Sequence, residues 1–427
     1  MVKSWKFLAI ISIMLLAFSL PAHSNTIIQS HAASEEGNGS ENLLSGENVQ
    51  PINPDSDMTP PENEAYLHFT SVPDLFNWNI YYPQPGWEDA MDWFLGRMDN
   101  EGDFMLNAGD IMDARWWEDE NQVRSETQKW WGAYNRRFKD KDIDLYIAPG
   151  DHEYGDDKGL LNMDLTPVYA EQFGSIFDLP ENGPEFLGVK GLSYSFTREN
   201  LAVVTVNTFE NSGDYISMSV SDKQVEWLDN RLEEYQDKEF IIVQGHGPVV
   251  GPVESKSSSG YMLEEGVESD FWKTMVEHDV DVYLCGEHHR ITASKQDGIW
   301  QIVHGALWGS HTNVNYLRGS VYQDELKLEL FRFPVEYSGD ILENHPNRWF
   351  GNGPKENVTI PENVKENGPN SVGELVIQIG ENGNQTVKAT GEFVKSEVSE
   401  DSSGGNSIYA VIGAILVIFV VLKWRFW

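Results

Sequence analysis

The chain has 427 residues, 68 acidic against 30 basic side chains, and a formal net charge of −38. That surplus argues against a basic nucleic-acid-binding surface and keeps the exterior well hydrated. Cys285 is the single cysteine, so no intrachain disulfide forms, and an exported domain must rely on core packing or on bound metal.

Lys3 and Lys6 precede an apolar stretch over 7–20, followed by Pro21, Ala22 and Ser24. A basic start, an apolar middle and a small-residue exit are read as a signal peptide over residues 1–24. Residues 25–63 form an acidic linker rich in Glu, Ser, Asn, Gly and Pro, without apolar periodicity, and are expected to be disordered.

From residue 64 to 340 strand-like and helix-like patterns alternate. Apolar runs at 67–71, 104–106, 145–148, 201–206, 240–243, 282–285, 300–303 and 326–333 predict buried strands. Between them, Trp87, Met91, Phe94, Leu95 and Met98 recur at helical spacing, as do Val225, Leu228, Leu232 and Tyr235. Phe271, Met275 and Val276 predict another helix, and Trp116, Trp117, Trp130 and Trp131 fall in a helical region. This alternation predicts a layered α/β domain around central sheet structure.

A C-terminal extension, 341–395, carries a β-hairpin pattern at 374–379 and 386–393. A polar stalk, 396–407, leads to a charge-free run over 408–422. With Lys423, Trp424 and Arg425 after it, 408–423 reads as a transmembrane helix whose basic flank stays in the cytoplasm. The expected location is therefore membrane-anchored and extracytoplasmic, at the cell surface. Asn38, Asn357 and Asn384 each open an Asn-x-Ser/Thr triplet.

Polar residues gather where the predicted strands end. Asp74 follows the first, Gly109-Asp110 the second, and Gly150-Asp151-His152-Glu153 the third. Gly245-His246-Gly247-Pro248 and Gly286-Glu287-His288-His289 follow two later ones. Ligands of open α/β sheets bind beyond the carboxyl ends of strands, and glycine lets the chain approach a bound ion closely. Carboxylates with imidazoles suit divalent ions such as Mn, Fe, Zn or Mg. Two such ions clamp a phosphoryl group and lower the pKa of a bridging water.

This order resembles the calcineurin-like metallophosphoesterase superfamily, which includes the purple acid phosphatases. The likeness spans about residues 67–333, with divergent first and last motifs. It implies a metallophosphoesterase-like four-layer α/β sandwich, here with a C-terminal transmembrane helix, and two divalent metal ions at the strand ends. Carried over residue by residue, it makes Asp110 the bridging carboxylate and His246 and His289 ligands, one to each ion. Asp151 stands where the family has Asn, and Glu287 where it has the first His of Gly-His-x-His. Asp74 belongs to the first motif, in which Phe76 occupies a histidine's place and Asn77 or Asn79 is a substitute. Asp113 lies where purple acid phosphatases carry a ligand tyrosine. His152 is implied to stabilise the phosphoryl group or protonate the leaving oxygen, with Glu153 orienting it.

The metal ligand set read here is therefore Asp74, Asp110, Asp113, Asp151, His246, Glu287 and His289, with His152 and Glu153 catalytic. Its extra carboxylates favour harder ions, Mn or Mg over Zn. The implied activity is hydrolysis of extracellular phosphomonoesters or phosphodiesters by a metal-activated hydroxide, with a phosphate ester as partner. A surface binding protein that kept the fold but lost catalysis is the alternative, supported by the altered first motif. Arg115 and Arg290 suit a phosphate clamp or an ion pair equally. His304 and His311 are expected to pack or hydrogen-bond, and Cys285 to be inert.

Overall fold

The computed structural model describes residues 64–75, 87–111, 119–154, 163–185, 191–211, 216–255, 260–305, 313–338, 357–380 and 382–394. The expected signal peptide, linker, stalk and transmembrane helix fall outside these, as do Phe76, Asn77, Asn79, Asp113, Arg115, Trp116 and His311. Among the described residues no helix is long and apolar enough to cross a membrane.

Three short strands open the fold: β1 (Leu67–Ser71), β2 (Phe104–Asn107) and β3 (Leu145–Ile147). They pair in parallel, β1 with β2 and β2 with β3. Parallel neighbours need crossovers, and two helices supply them. In α1 (Trp87–Glu101) the stripe of Met91, Phe94, Leu95 and Met98 is buried, as its spacing requires. Helix α2 (Glu120–Lys139) starts at Asp119, whose side chain accepts the Gln122 amide at 3.0 Å. Its first turn is acidic and its last holds Arg136, Arg137 and Lys139, matching the helix dipole. Trp131 of α2 packs edge-on against Phe173 of α3 (Thr166–Phe177), 5.3 Å between ring centres.

The second half repeats the logic. Strands β4 (Tyr194–Arg198) and β5 (Leu201–Thr205) form a hairpin, and β6 (Glu210–Asn211) with β7 (Ile216–Ser217) another. Helix α4 (Asp222–Glu234) crosses to β8 (Phe240–Gln244), and α5 (Asp270–Glu277), capped by Ser269, crosses to β9 (Val282–Cys285). Then follow β10 (Thr292–Gln296), β11 (Ile299–Val303), β12 (Asn313–Val321), β13 (Glu325–Pro334), β14 (Glu336–Ser338) and β15 (Asn357–Thr359). The short α6 (Glu362–Asn367) precedes β16 (Asn370–Ile379) and β17 (Gln385–Gly391).

Apart from the two-stranded β6–β7 and β14–β15 pairs, these strands build two mixed sheets, in the α/β arrangement expected from the sequence. The order is β17-β16-β13-β12-β1-β2-β3 in one and β10-β11-β9-β8-β5-β4 in the other. The second contains a parallel run of β5, β8, β9 and β11. Aromatic side chains join the sheets: Tyr146 of β3 stacks on Phe196 of β4 at 3.9 Å, and Phe104 of β2 meets the same ring edge-on. The C-terminal hairpin β16–β17 does not stand apart. It extends the first sheet through β13, pairing Leu326 with Ile377 and Leu328 with Leu375. From β17, the Gln385 amide also reaches the Asp281 carboxylate just before β9 in the other sheet.

Candidate metal centre

The parallel runs put the carboxyl ends of β1, β2 and β3 opposite those of β8, β9 and β11. Asp74, Asp110 and Asp151 leave the first set, and His246 and Glu287 the second. All five are buried. Asp110, Asp151, His246 and Glu287 each offer one ligand atom within 4.8 Å of all the others.

His246 sits at the centre. Its Nδ1 lies 2.8 Å from the Ala108 carbonyl, which only accepts, so Nδ1 carries the proton. Its Nε2 then turns toward three oxygens: Glu287 Oε2 at 3.2 Å, Asp151 Oδ1 at 3.3 Å and Asp110 Oδ2 at 3.5 Å. Nε2 and Asp151 Oδ1 are buried with no hydrogen-bond partner. Three buried carboxylates around one imidazole nitrogen demand positive charge between them, either a proton on Nε2 or a bound cation. A divalent cation meets that demand, and the second-atom hydrogen bond to Ala108 is the support a metal-ligating histidine needs.

The titration behaviour agrees. Burial drives Asp110 well above the ordinary carboxylate range, and the nearby Asp151 adds to the rise. Burial also takes Asp74 up to about 8. Against burial, His152 and His246 hold Asp151 below its usual value. Against burial too, Asp110, Asp151 and Glu287 push His246 well up. The pocket concentrates negative charge that protons or a cation must offset.

Asp74 and His289 lie beside this cluster. Asp74 Oδ1 accepts the Glu287 amide at 3.2 Å and lies 3.7 Å from His289 Nε2. Asp74 Oδ2 is buried without a partner. The backbone is turned sharply at these residues: φ is positive at Asp74 (51°), Asp110 (56°), Glu287 (69°) and His289 (56°). Gly150 has no room for a side chain, because an added Cβ would overlap Asp110 Oδ1.

Glu153 faces the loops rather than the pocket. Its Oε2 accepts the Gly150 amide at 2.7 Å and the Asp110 amide at 2.9 Å, and its Oε1 the Ile111 amide at 3.0 Å. One carboxylate thus staples the loop after β2 to the loop after β3. His152 donates its backbone amide to Asp110 Oδ1 at 3.2 Å, and its Nε2 lies 3.8 Å from Asp110 Oδ2. Glu287 uses Oε1 to accept the Tyr261 amide at 3.0 Å, which leaves Oε2 for the pocket. His288 turns aside to the Tyr261 carbonyl at 3.0 Å, and Arg290 is exposed.

Several supporting residues escaped the sequence reading. Asn107 binds the Val72 carbonyl at 2.6 Å and the Gly109 amide at 3.0 Å, tying β1's exit to β2's. Asn207 donates to Tyr154 Oη at 3.0 Å beside Glu153. Gln301 accepts the Val249 and Val250 amides at 2.6 and 2.8 Å, fixing the chain after His246. Their common signal is an amide side chain within or just past a buried apolar strand, where nothing apolar explains it.

Residues 68–290, just over half of the chain, match the calcineurin-like phosphoesterase family. The chain belongs to that family. No curated protein matches the sequence. Among solved structures, this family member is similar to GAP50, the anchor in the inner membrane complex of Plasmodium, at 14% identity and a TM-score of 0.43. That likeness covers 63% of this chain and 85% of GAP50. A Staphylococcus aureus protein proposed to be a 5′-nucleotidase, solved with alpha-ketoglutarate, shows 17% identity and a TM-score of 0.37, covering 59% and 50% respectively. The phosphopantetheinyl hydrolase PptH of Mycobacterium tuberculosis shows 11% and 0.33, covering 56% and 89%.

Proposed function

We propose that this calcineurin-like phosphoesterase hydrolyses phosphomonoesters or phosphodiesters with two divalent ions, outside the cell, tethered by the helix at 408–423. The observation that carries the reading is the orphaned Nε2 of His246 among three buried carboxylates. Asp110, Asp151, His246 and Glu287 would hold one ion, and Asp74 and His289, sharing Asp110, the other. Bound there, divalent ions supply activation of water and neutralise charge on phosphoryl oxygens.

The chain's own side chains do the rest. Asp110 would serve both positions, and Asp151 and Glu287 put carboxylates where a neutral donor would also bind, which favours Mn or Mg. His152 stands at the edge of the pocket and holds or delivers a proton for the leaving oxygen. The site and the surface are both acidic, which favours small esters over long polyanions. Export and membrane attachment rest on the apolar runs at 7–20 and 408–422, each with basic neighbours.

The test is turnover of a chromogenic phosphomonoester and phosphodiester by the full-length protein with Mn, Zn, Mg or Fe, beside Asp110→Ala. Metal-dependent turnover that the variant lacks is expected. A second reading, a binding protein on the same fold, draws on Phe76, which offers no donor where the family's first motif has histidine. Folded protein that binds metal yet turns over neither ester would favour that reading.

A further inference from the structure

His304 lies just past β11, fully buried, at the seam where the two sheets meet. Its Nε2 is 3.2 Å from the Ser71 carbonyl and 3.1 Å from Ser71 Oγ, at the end of β1. A carbonyl only accepts, so Nε2 carries the proton and the ring is a neutral donor. Burial agrees, lowering this imidazole to about 4. The His304 amide binds the Cys285 carbonyl at 3.2 Å, so one residue ties together the ends of β1, β9 and β11.

The next residue presses on a ligand. A Cβ on Gly305 would come within 2.5 Å of Asp74 Oδ2. Gly305 is itself gripped by a side-chain amide on β12: its N–H donates to Asn315 Oδ1 at 3.0 Å, and Asn315 Nδ2 donates back to its carbonyl. On the other flank the segment from Ser71 to Asp74 is bonded to β2's exit. Val72 donates to the Leu106 carbonyl at 2.9 Å, and Asp74 to the Gly109 carbonyl at 3.0 Å. Asp74 is therefore held between a β2 wall and a His304–Gly305–Asn315 wall. Its own neighbour in the first motif, Phe76, brings no donor.

We propose that His304 and Asn315 are positioning residues that set the Asp74 carboxylate for the second ion position, through Ser71 on one side and Gly305 on the other. The inference rests on the two-ion reading above. Neither side chain contacts the four-donor pocket of Asp110, Asp151, His246 and Glu287 in any hydrogen bond described. The two positions should consequently respond differently to their loss.

The experiment titrates the full-length protein with Mn²⁺ and reads free Mn²⁺ by electron paramagnetic resonance, with thermal unfolding as a fold control. Wild type is expected to bind two ions, and Asp74→Ala to lose the second class. His304→Phe and Asn315→Ala should weaken that class by about tenfold or more and leave the first within about twofold. Isosteres separate positioning from packing. Glutamine places its amide nitrogen where Nε2 sits, so His304→Gln should restore the second class. Asparagine places it where Nδ1 sits, so His304→Asn should not. This pair decides the matter even if His304→Phe fails to fold.

Two ions in wild type with both classes unchanged in His304→Asn and Asn315→Ala would overturn the positioning role. So would equal weakening of both classes, which marks general loosening, or equal behaviour of the Gln and Asn variants. A single ion in wild type would instead overturn the two-ion reading, and this inference with it.

Discussion

Replacing Glu153 by glutamine removes one charge and almost no volume, so its effect isolates what the carboxylate does. The carboxylate accepts three backbone amides, from Gly150, Asp110 and Ile111, and is buried. Glutamine keeps one oxygen. Placed at Oε2, that oxygen retains the Gly150 and Asp110 amides, and the new NH₂ group then faces the Ile111 N–H. The loss is one hydrogen bond to a charged group, about 1.5–3 kcal/mol, plus about 1–3 kcal/mol for the unpaired donors. Part of this is offset, because Glu153 also raises Asp110 through charge repulsion and that repulsion disappears. A net destabilisation of about 2–4 kcal/mol is expected. Since the stapled loops carry Asp110 and Asp151, Mn²⁺ affinity should fall by about 10–100-fold as well. Urea unfolding of the metal-free protein and Mn²⁺ titration measure the two effects. Unchanged stability and affinity, with altered turnover alone, would refute the staple and return Glu153 to a role in proton transfer.

Three further outcomes follow from the same geometry. His246→Ala removes the atom at the pocket's centre, so the share of the Mn²⁺-induced rise in melting temperature that comes from that position, about 2.7 kcal/mol at a hundredfold excess over its Kd in wild type, should be lost. Gly150→Ala drives a methyl group into Asp110 Oδ1 and should destabilise the metal-free protein by about 1–3 kcal/mol while lowering metal affinity, both read by unfolding with and without a chelator. Asp281, raised by burial from 3.8 to about 6, holds its proton more tightly in the folded state than unfolded. Its contribution is full below pH 4 and lost as pH rises through 6. The stability of wild type minus that of Asp281→Asn should thus fall by about 3 kcal/mol between pH 3 and 7, and a flat difference would refute the shift.

Much of the core was legible because it obeys simple periodicity. The run at 240–243 is apolar and β-branched and became β8, and the Met91–Phe94–Met98 stripe became the buried face of α1. Strand β12 escaped notice because Asn313, Asn315, Arg318 and Gly319 interrupt its apolar pattern. Its long pairings with β1 and β13, not its own composition, make it a strand. Most of the candidate ligands were legible for a different reason. A carboxylate or imidazole just past one buried strand is weak evidence alone, so Asp110, Asp151 and His246 stood out only jointly, by recurring at successive strand ends. What no linear pattern carries is the direction of each side chain. Glu153 and His288 share the motifs' chemistry yet point into loop amides and a carbonyl, and only the fold separates them from Glu287.

The strain at the ligands ties the chemistry to stability. Four ligand candidates adopt positive φ although none is glycine, a conformation costing about 1–3 kcal/mol each and less for aspartate. Glycine would relieve that strain at the backbone but would remove the donor, so the side chain is needed there despite its cost. The same residues bury like charges together, which burial and mutual repulsion oppose. Both penalties are confined to loops, and the two sheets, with their aromatic seam at Phe104, Tyr146 and Phe196, supply the packing that holds those loops in place. With one cysteine in the chain, no disulfide shares that load. A cation in the pocket turns the repulsion into attraction without relaxing the backbone. Metal bound there would accordingly contribute folding energy, so chelation should weaken the fold most where Asp110, Asp151, His246 and Glu287 converge.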